Sequence, residues 1–173
     1  MSDKTQPARH RRRFVTIGGD LDKACATIRV IGPRLDPAKV TALLKVRPTK
    51  SHRRGDVVNP PYPARSSQGV WLLESNYVNG RNLESAIWRL LRQLPSDFGK
   101  WTRALAGAKA NLFCGLFLNA WNRSLNLSDT LLAELGRRKL TLQVDIFGDD
   151  GKIEYASPGR RRQTKSTRRR LKG

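Results

Sequence analysis

The stretch from Ala108 to Ile146 constrains the fold most, because it contains two strand patterns on either side of a helix pattern. In the first strand pattern one face is apolar and Phe113 and Phe117 lie on the other, which is typical of a central strand. The helix pattern begins at Ser128, a good capping residue, and ends at Gly136. In the second strand pattern apolar and polar residues alternate, as in a half-buried strand. The stretch therefore predicts a domain of mixed helices and strands.

The rest of the chain predicts two further strands and three further helices. Strand patterns lie at 24–31 and 70–75, and helix patterns lie at 36–47, 82–94 and 96–107. We expect an α+β domain, a two-layer α/β sandwich in which helices cover one face of a four-stranded, mainly antiparallel sheet. A variant of the ferredoxin-like fold is the expected topology.

The formal net charge of +20 is concentrated at the two ends of the chain. Residues 1–22 are expected to form a basic mobile N-terminal arm, residues 23–156 a single α+β domain, and residues 157–173 a basic disordered C-terminal tail. The tail contains eight cations and no acid, a composition that binds phosphate groups and releases counterions. We expect it to bind nucleic acid, DNA or RNA, nonspecifically, and an acidic protein partner is the alternative. The expected contact residues are Arg160, Arg161, Arg162, Lys165, Arg168, Arg169, Arg170 and Lys172.

A polar loop between Arg47 and Gly69 contains the second candidate site. Its first half combines cations with hydroxyl groups, which suits an anion. A mobile, solvated loop is the alternative interpretation. The glycine spacing of a P-loop is missing, so a nucleoside triphosphate site is not expected. The candidate anion-binding residues are Thr49, Lys50, Ser51, Arg53 and Arg54.

A shallow pocket is the third candidate site. Glu74 and Asp145 are acids in strand patterns, and Trp71 and Ser75 lie close to the first of them in sequence. These four residues form a pocket in the functional interpretation. In the structural alternative, the two carboxylates face solvent or accept backbone N–H groups. Trp121 follows the third strand, and we expect it to be exposed and to contact a partner.

No arrangement of residues predicts catalysis, so we expect a non-enzymatic protein without a metal or cofactor. His10 lies in the arm, so the one possible acid–base pair is His52 with Asp56, in the polar loop. An enzyme that acts on a phosphorylated ligand at this loop is the remaining catalytic alternative. Cys25 and Cys114 fall in strand patterns and are expected to be buried free thiols. No apolar run is long enough to span a membrane and the basic start is not a signal peptide, so we expect a cytoplasmic protein.

One set of short segments occurs in a fixed order between about residues 24 and 147. The segments are Ile31-Gly32, Leu35-Asp36-Pro37, Leu44, Pro48-Thr49-Lys50-Ser51, Gly55-Asp56, Trp71-Leu72-Leu73-Glu74-Ser75, Leu112-Phe113-Cys114-Gly115, Leu127-Ser128, Leu135-Gly136 and Val144-Asp145-Ile146. Together they resemble the bacterial family catalogued as domain of unknown function 4279. The resemblance implies a small cytoplasmic α+β domain and brings no established activity. Small bacterial families of this kind often include immunity proteins encoded beside secreted toxins, so it also implies toxin neutralisation as the alternative function.

Overall fold

Seven strands and four helices form in the part of the chain that the computed structural model describes, which is residues 19–58, 63–119 and 122–148. The strands are β1 (Lys23–Gly32), β2 (Lys50–His52), β3 (Val57–Val58), β4 (Ala64–Arg65), β5 (Gly69–Glu74), β6 (Lys109–Phe117) and β7 (Thr141–Phe147). The helices are α1 (Pro37–Leu44), α2 (Leu83–Leu91), α3 (Phe98–Ala104) and α4 (Asp129–Arg137). The predicted α+β class is confirmed.

Five of the strands form one mixed sheet in the order β2-β5-β1-β6-β7, and β3 pairs separately with β4. The central strand β1 runs antiparallel to both β5 and β6, whereas β6 and β7 run parallel. Parallel pairing is possible there because α4 connects the two strands and returns the chain to the same end of the sheet. The prediction of four strands is wrong, because β2 lies in the predicted polar loop and pairs with β5 as a fifth strand.

The ferredoxin-like topology is not confirmed. A ferredoxin-like fold has the element order β-α-β-β-α-β, whereas β6 follows two consecutive helices and forms a β-α-β unit with α4 and β7. The hydrophobic patterns that predicted the elements identify each strand without identifying its neighbour. The prediction is therefore correct for the class of fold and incomplete for its topology.

The helices pack against one face of the sheet, where alternate residues of each inner strand are buried. Ala24, Ala26, Ile28 and Val30 of β1 are completely buried, and they share one core with residues from all four helices. Burial of an aliphatic side chain of this kind contributes about 1.5–3 kcal/mol. The residues of β1 between these buried ones lie on the opposite face of the sheet, where Arg29 is half-exposed.

The folded domain begins before β1. Leu21 is buried with the core, and its carbonyl accepts the N–H of Gly80 at 3.0 Å. A side chain at Gly80 would clash with Leu21, so glycine is required at this close approach. Leu21, which the sequence places in the predicted arm of residues 1–22, thus packs against the core of the domain.

Sequence signals predict the start of α4 correctly and its end incorrectly. Ser128 caps the helix, and its Oγ accepts the N–H of Leu131 at 3.2 Å. Gly136 lies inside the helix, which continues to Arg137. The chain turns away at Lys139, whose φ of 52° is left-handed. A lysine thus adopts the conformation that a glycine after the helix was expected to provide.

Both cysteines are free thiols, as the sequence predicts. Cys114 lies on the helix-facing side of β6, and burial raises the pKa of its thiol to about 12. Cys25 lies on the opposite face of the sheet, next to Gly115, and is half-buried. The prediction of burial is therefore confirmed for Cys114 and wrong for Cys25.

Glu84 connects the beginnings of two helices. Its carboxylate accepts the hydroxyl of Ser128 at 2.5 Å and the N–H of the same residue at 2.9 Å. Trp88 also donates its Nε1–H to Glu84 at 3.3 Å. The hydrogen bond from the Ser128 hydroxyl is the largest cause that holds the pKa of Glu84 below its usual value.

Acidification is expected to remove the stabilisation that Glu84 provides. Because its pKa is lower in the folded state, this stabilisation is complete above the unfolded pKa and is lost as the pH falls through the folded pKa. Urea unfolding between pH 7 and about pH 3 should therefore show a smaller loss of stability in Glu84→Gln than in the wild type. Asp129→Asn, which changes an exposed carboxylate of α4, is the control. Equal pH dependence in wild type and Glu84→Gln would contradict this role.

Candidate nucleic-acid interface

The face of the sheet opposite the helices, here called the open face, carries aromatic and charged side chains. The strand register fixes which residues are neighbours: Phe113 of β6 lies beside Thr27 of β1, and Phe117 lies beside Phe147 of β7. The half-exposed or exposed residues of this face include Cys25, Arg29, Ile31, Leu72, Glu74, Asn111, Phe113, Phe117, Gln143, Asp145 and Phe147. The face therefore offers rings and hydrogen-bonding groups on neighbouring strands.

Three aromatic rings, here called the ring cluster, lie at one corner of the open face. Phe117 and Phe147 stack with their centroids 4.8 Å apart and their planes 13° apart, and Tyr77 meets Phe117 edge-on at 5.6 Å. Tyr77 is 58% exposed and Phe147 is 46% exposed. The Nζ of Lys23 lies 3.8 Å from the centroid of Tyr77. The cluster combines exposed ring faces with a cation.

Gly115 is buried beneath the ring cluster. A Cβ at this position would lie 3.0 Å from the Sγ of Cys25, which is tight, and 3.5 and 3.6 Å from the rings of Phe117 and Phe147, which is ordinary van der Waals contact. A side chain at this position would therefore require Cys25 to shift.

Arg29 lies at the middle of the open face with its guanidinium 3.5 Å from the ring centroid of Phe113. Among the described residues, its side chain has no hydrogen-bond or ion-pair partner. Partial burial lowers the pKa of Arg29, and the charge of Asp145 is the largest effect that opposes this lowering. A stacked guanidinium with free donors can bind a phosphate or a base edge bidentately.

A groove of about 280 Å³ borders Arg29 and is also lined by Gln68, Lys109 and Asn111. The Nδ2 of Asn111 donates to Gln143 Oε1 at 3.2 Å, whereas its buried Oδ1 has no partner among the described residues. A buried acceptor without a partner costs free energy.

Several polar groups of the predicted anion-binding loop already have hydrogen-bond or ion-pair partners within the protein. Thr49 Oγ1 donates to the carbonyl of Leu72 and accepts the N–H of Glu74, both at 3.0 Å. Lys50 pairs with Glu74 at 3.3 Å, and Arg53 pairs with Asp36 at 3.4 Å. These partners anchor β2 to β5 and the loop to the start of α1.

A cavity of about 540 Å³ lies between the loop and α1, and it is lined by the candidates Thr49, Lys50, Ser51 and Arg53. Arg54, the fifth candidate, is not among its lining residues. His52 and Asp56 also line the cavity, but no hydrogen bond joins them in the described residues. The structure thus brings four of the five candidates together, with two of their cations already paired.

The four residues of the predicted pocket do not lie together. Trp71 is completely buried on the helix side, where its Nε1 donates to Thr41 Oγ1 at 3.1 Å. Glu74 lies on the open face, and Ser75 Oγ accepts the N–H of Ala26 at 2.9 Å. Asp145 belongs to β7, which β1 and β6 separate from β5. Sequence proximity placed residues from opposite faces in one site.

The remaining candidates lie outside the described residues. These are His10, Trp121 and the eight basic residues from Arg160 to Lys172. Within residues 19–58, 63–119 and 122–148, no cluster of His, Cys, Asp and Glu has the arrangement of a metal site. In the same residues no helix is both long enough and apolar enough to cross a membrane.

The residues that the sequence did not single out are Arg29, Lys23, Tyr77 and Asn111. An arginine at an alternate position of an otherwise apolar strand was the one signal available for the open face. Tyr77 and Lys23 are far apart in sequence, so only the tertiary fold brings the ammonium group over the ring.

The described residues form a small α+β domain in which the helices lie on one side of the main sheet. The family model described as Domain of unknown function (DUF4279) matches residues 22–149, and the chain belongs to this family. The resemblance predicted from the ordered segments is therefore confirmed. Comparison with curated proteins gives no match, and comparison with solved structures gives none.

Proposed function

We propose that the protein is a cytoplasmic, non-enzymatic binding domain whose basic ends associate with nucleic acid. The observation that carries the proposal is the net charge of +20, of which eight cations and no acid lie in residues 157–173. Such a segment neutralises phosphates and releases their counterions, which favours binding without regard to sequence. The family membership brings no activity that would compete with this proposal.

The balance between acidic and basic side chains in the domain supports the proposal. Ion pairs in the described residues involve five acids, which are Asp20, Asp22, Asp36, Glu74 and Glu134. The domain's cations exceed its acids, so pairing leaves many Lys and Arg side chains free for an external anion. The field of the domain therefore has the same sign as the charge of the ends and attracts the same partner.

Removing the tail's charge is expected to weaken binding to duplex DNA by more than about tenfold at low salt. The test compares the full chain with a variant in which all eight tail cations are replaced by glutamine, so that chain length is kept. A chain that ends at Ala156 serves as a second comparison, and fluorescence anisotropy gives each Kd. Equal affinity of the full chain and both variants would overturn the proposal.

Toxin immunity is the second candidate, and the edge of the sheet favours it. Leu142, Val144 and Ile146 of β7 are exposed, with Ile146 65% exposed, and no described strand pairs with the outer edge of β7. Unpaired apolar edge strands accept a strand from a partner. An acidic toxin would complement the charge of this domain.

A secreted toxin encoded beside this gene is the partner with which to test immunity. Calorimetry should show that the full chain binds the purified toxin and that Ile146→Lys does not. Leu132→Lys is the control, because Leu132 is a comparably exposed residue of α4. Retained binding by Ile146→Lys would exclude the edge of β7 as the interface.

A further inference from the structure

We infer that the open face of the sheet is a stacking surface for the bases of single-stranded nucleic acid. The inference rests on the proposed function and adds the form of the nucleic acid to it. The tail contains cations but no aromatic residue, so it can hold a phosphate backbone and cannot stack on a base. The open face supplies the rings that the tail lacks.

The geometry of the ring cluster suits stacking. Phe117 and Phe147 are already parallel at a centroid distance of 4.8 Å, and the outer ring of Phe147 is about half exposed. A base placed on Phe147 would extend this stack. Tyr77 presents a second exposed ring at the same corner, which would contact a neighbouring base or sugar. Stacking of this kind tolerates any base, because every base has a π face.

The second half of the surface lies along β6. Phe113 and Phe117 are four residues apart on one strand, so their Cα atoms are roughly 13 Å apart. RNA-binding domains with open four-stranded sheets likewise use aromatic residues of the sheet to stack two or three bases. Arg29, stacked on Phe113 with free donors, lies where it would bind a phosphate or a base edge.

The charge of the open face favours single-stranded nucleic acid over the chain's own C-terminal segment as its ligand. Lys23, Arg29 and Lys109 lie on or beside the open face, whereas its acids are Asp145 and Glu74, and Glu74 is already paired with Lys50. Bringing the eight tail cations to these cations would place like charges together. A polyanion with exposed bases matches both the charge and the rings.

The test measures binding of the full chain to short oligo(dT) and to a duplex by fluorescence anisotropy. Phe147→Ala and Tyr77→Ala should each weaken single-strand binding by about 5- to 150-fold and leave duplex affinity unchanged. Leu132→Ala removes a comparably exposed apolar side chain from α4, so it should change neither affinity. Phe147→Trp should restore single-strand binding, and its added indole fluorescence should be quenched by the bases.

The outcomes separate this inference from the proposed function. Wild-type affinity of both ring variants for oligo(dT), with duplex and single strand still bound, would overturn the stacking surface and leave the proposed function standing. Failure of the full chain to bind either nucleic acid would overturn both. Higher single-strand affinity after removal of residues 157–173 would show that the tail itself binds the open face. That result would overturn the inference that the face is kept for single-stranded nucleic acid.

Discussion

Trp71→Ala is expected to lower the free energy of unfolding by about 3–5 kcal/mol. Trp71 of β5 is completely buried on the side of the sheet that faces α1, and its Nε1–H donates a hydrogen bond to the hydroxyl of Thr41 at 3.1 Å. Removing the indole would leave a large cavity at the point where the first helix meets the sheet. Because folded domains are stable by only about 5–15 kcal/mol, this loss is a large fraction of the total.

Two further variants show which part of the effect comes from packing. Trp71→Phe keeps most of the buried volume and loses the hydrogen bond to Thr41, so we expect a smaller loss than for alanine. Leu132→Ala removes an exposed side chain and should change stability by less than about 0.5 kcal/mol. Urea unfolding followed by circular dichroism measures all three. A loss below about 1 kcal/mol for Trp71→Ala would contradict the buried position of the indole.

The long hydrophobic patterns predicted the elements that form the centre of the fold. The stretch from Ala108 to Ile146 contains β6, α4 and β7 in the expected order, and Ser128 caps the helix as predicted. The patterns did not predict β2, because its three residues, Lys50–His52, are polar and too short to show alternation. Parallel pairing of β6 with β7 depends on the route of the connection, which hydrophobicity does not encode.

The open face was difficult to predict for a related reason. Phe113 and Phe117 made β6 look apolar on both faces, which correctly indicated an inner strand. Yet both rings are half-exposed, because no described helix covers that side of the sheet. Periodicity assigns residues to two faces without indicating which face the helices will cover. The contacts of Arg29 with Phe113 and of Tyr77 with Phe117 follow only from the tertiary fold.

The candidate loop shows the limit of composition as a guide to function. Thr49 and Lys50 have the chemistry of an anion site, and both use that chemistry within the protein, in bonds to Leu72 and Glu74. Hydroxyl and ammonium groups suit a bound anion and a backbone carbonyl or carboxylate equally. Only the distances in the folded chain distinguish the two uses.

The salt dependence of DNA binding tests the central claim most directly. If all eight tail cations contact duplex phosphates, log affinity should fall with log salt at a slope of about −7. The full chain would then lose about four decades of affinity between about 50 and 200 mM salt. The variant with eight glutamines should show a much shallower slope, because it retains only the contacts of the domain and the N-terminal residues. A slope near zero for the full chain, or the same slope for both proteins, would contradict the claim that the basic tail binds nucleic acid.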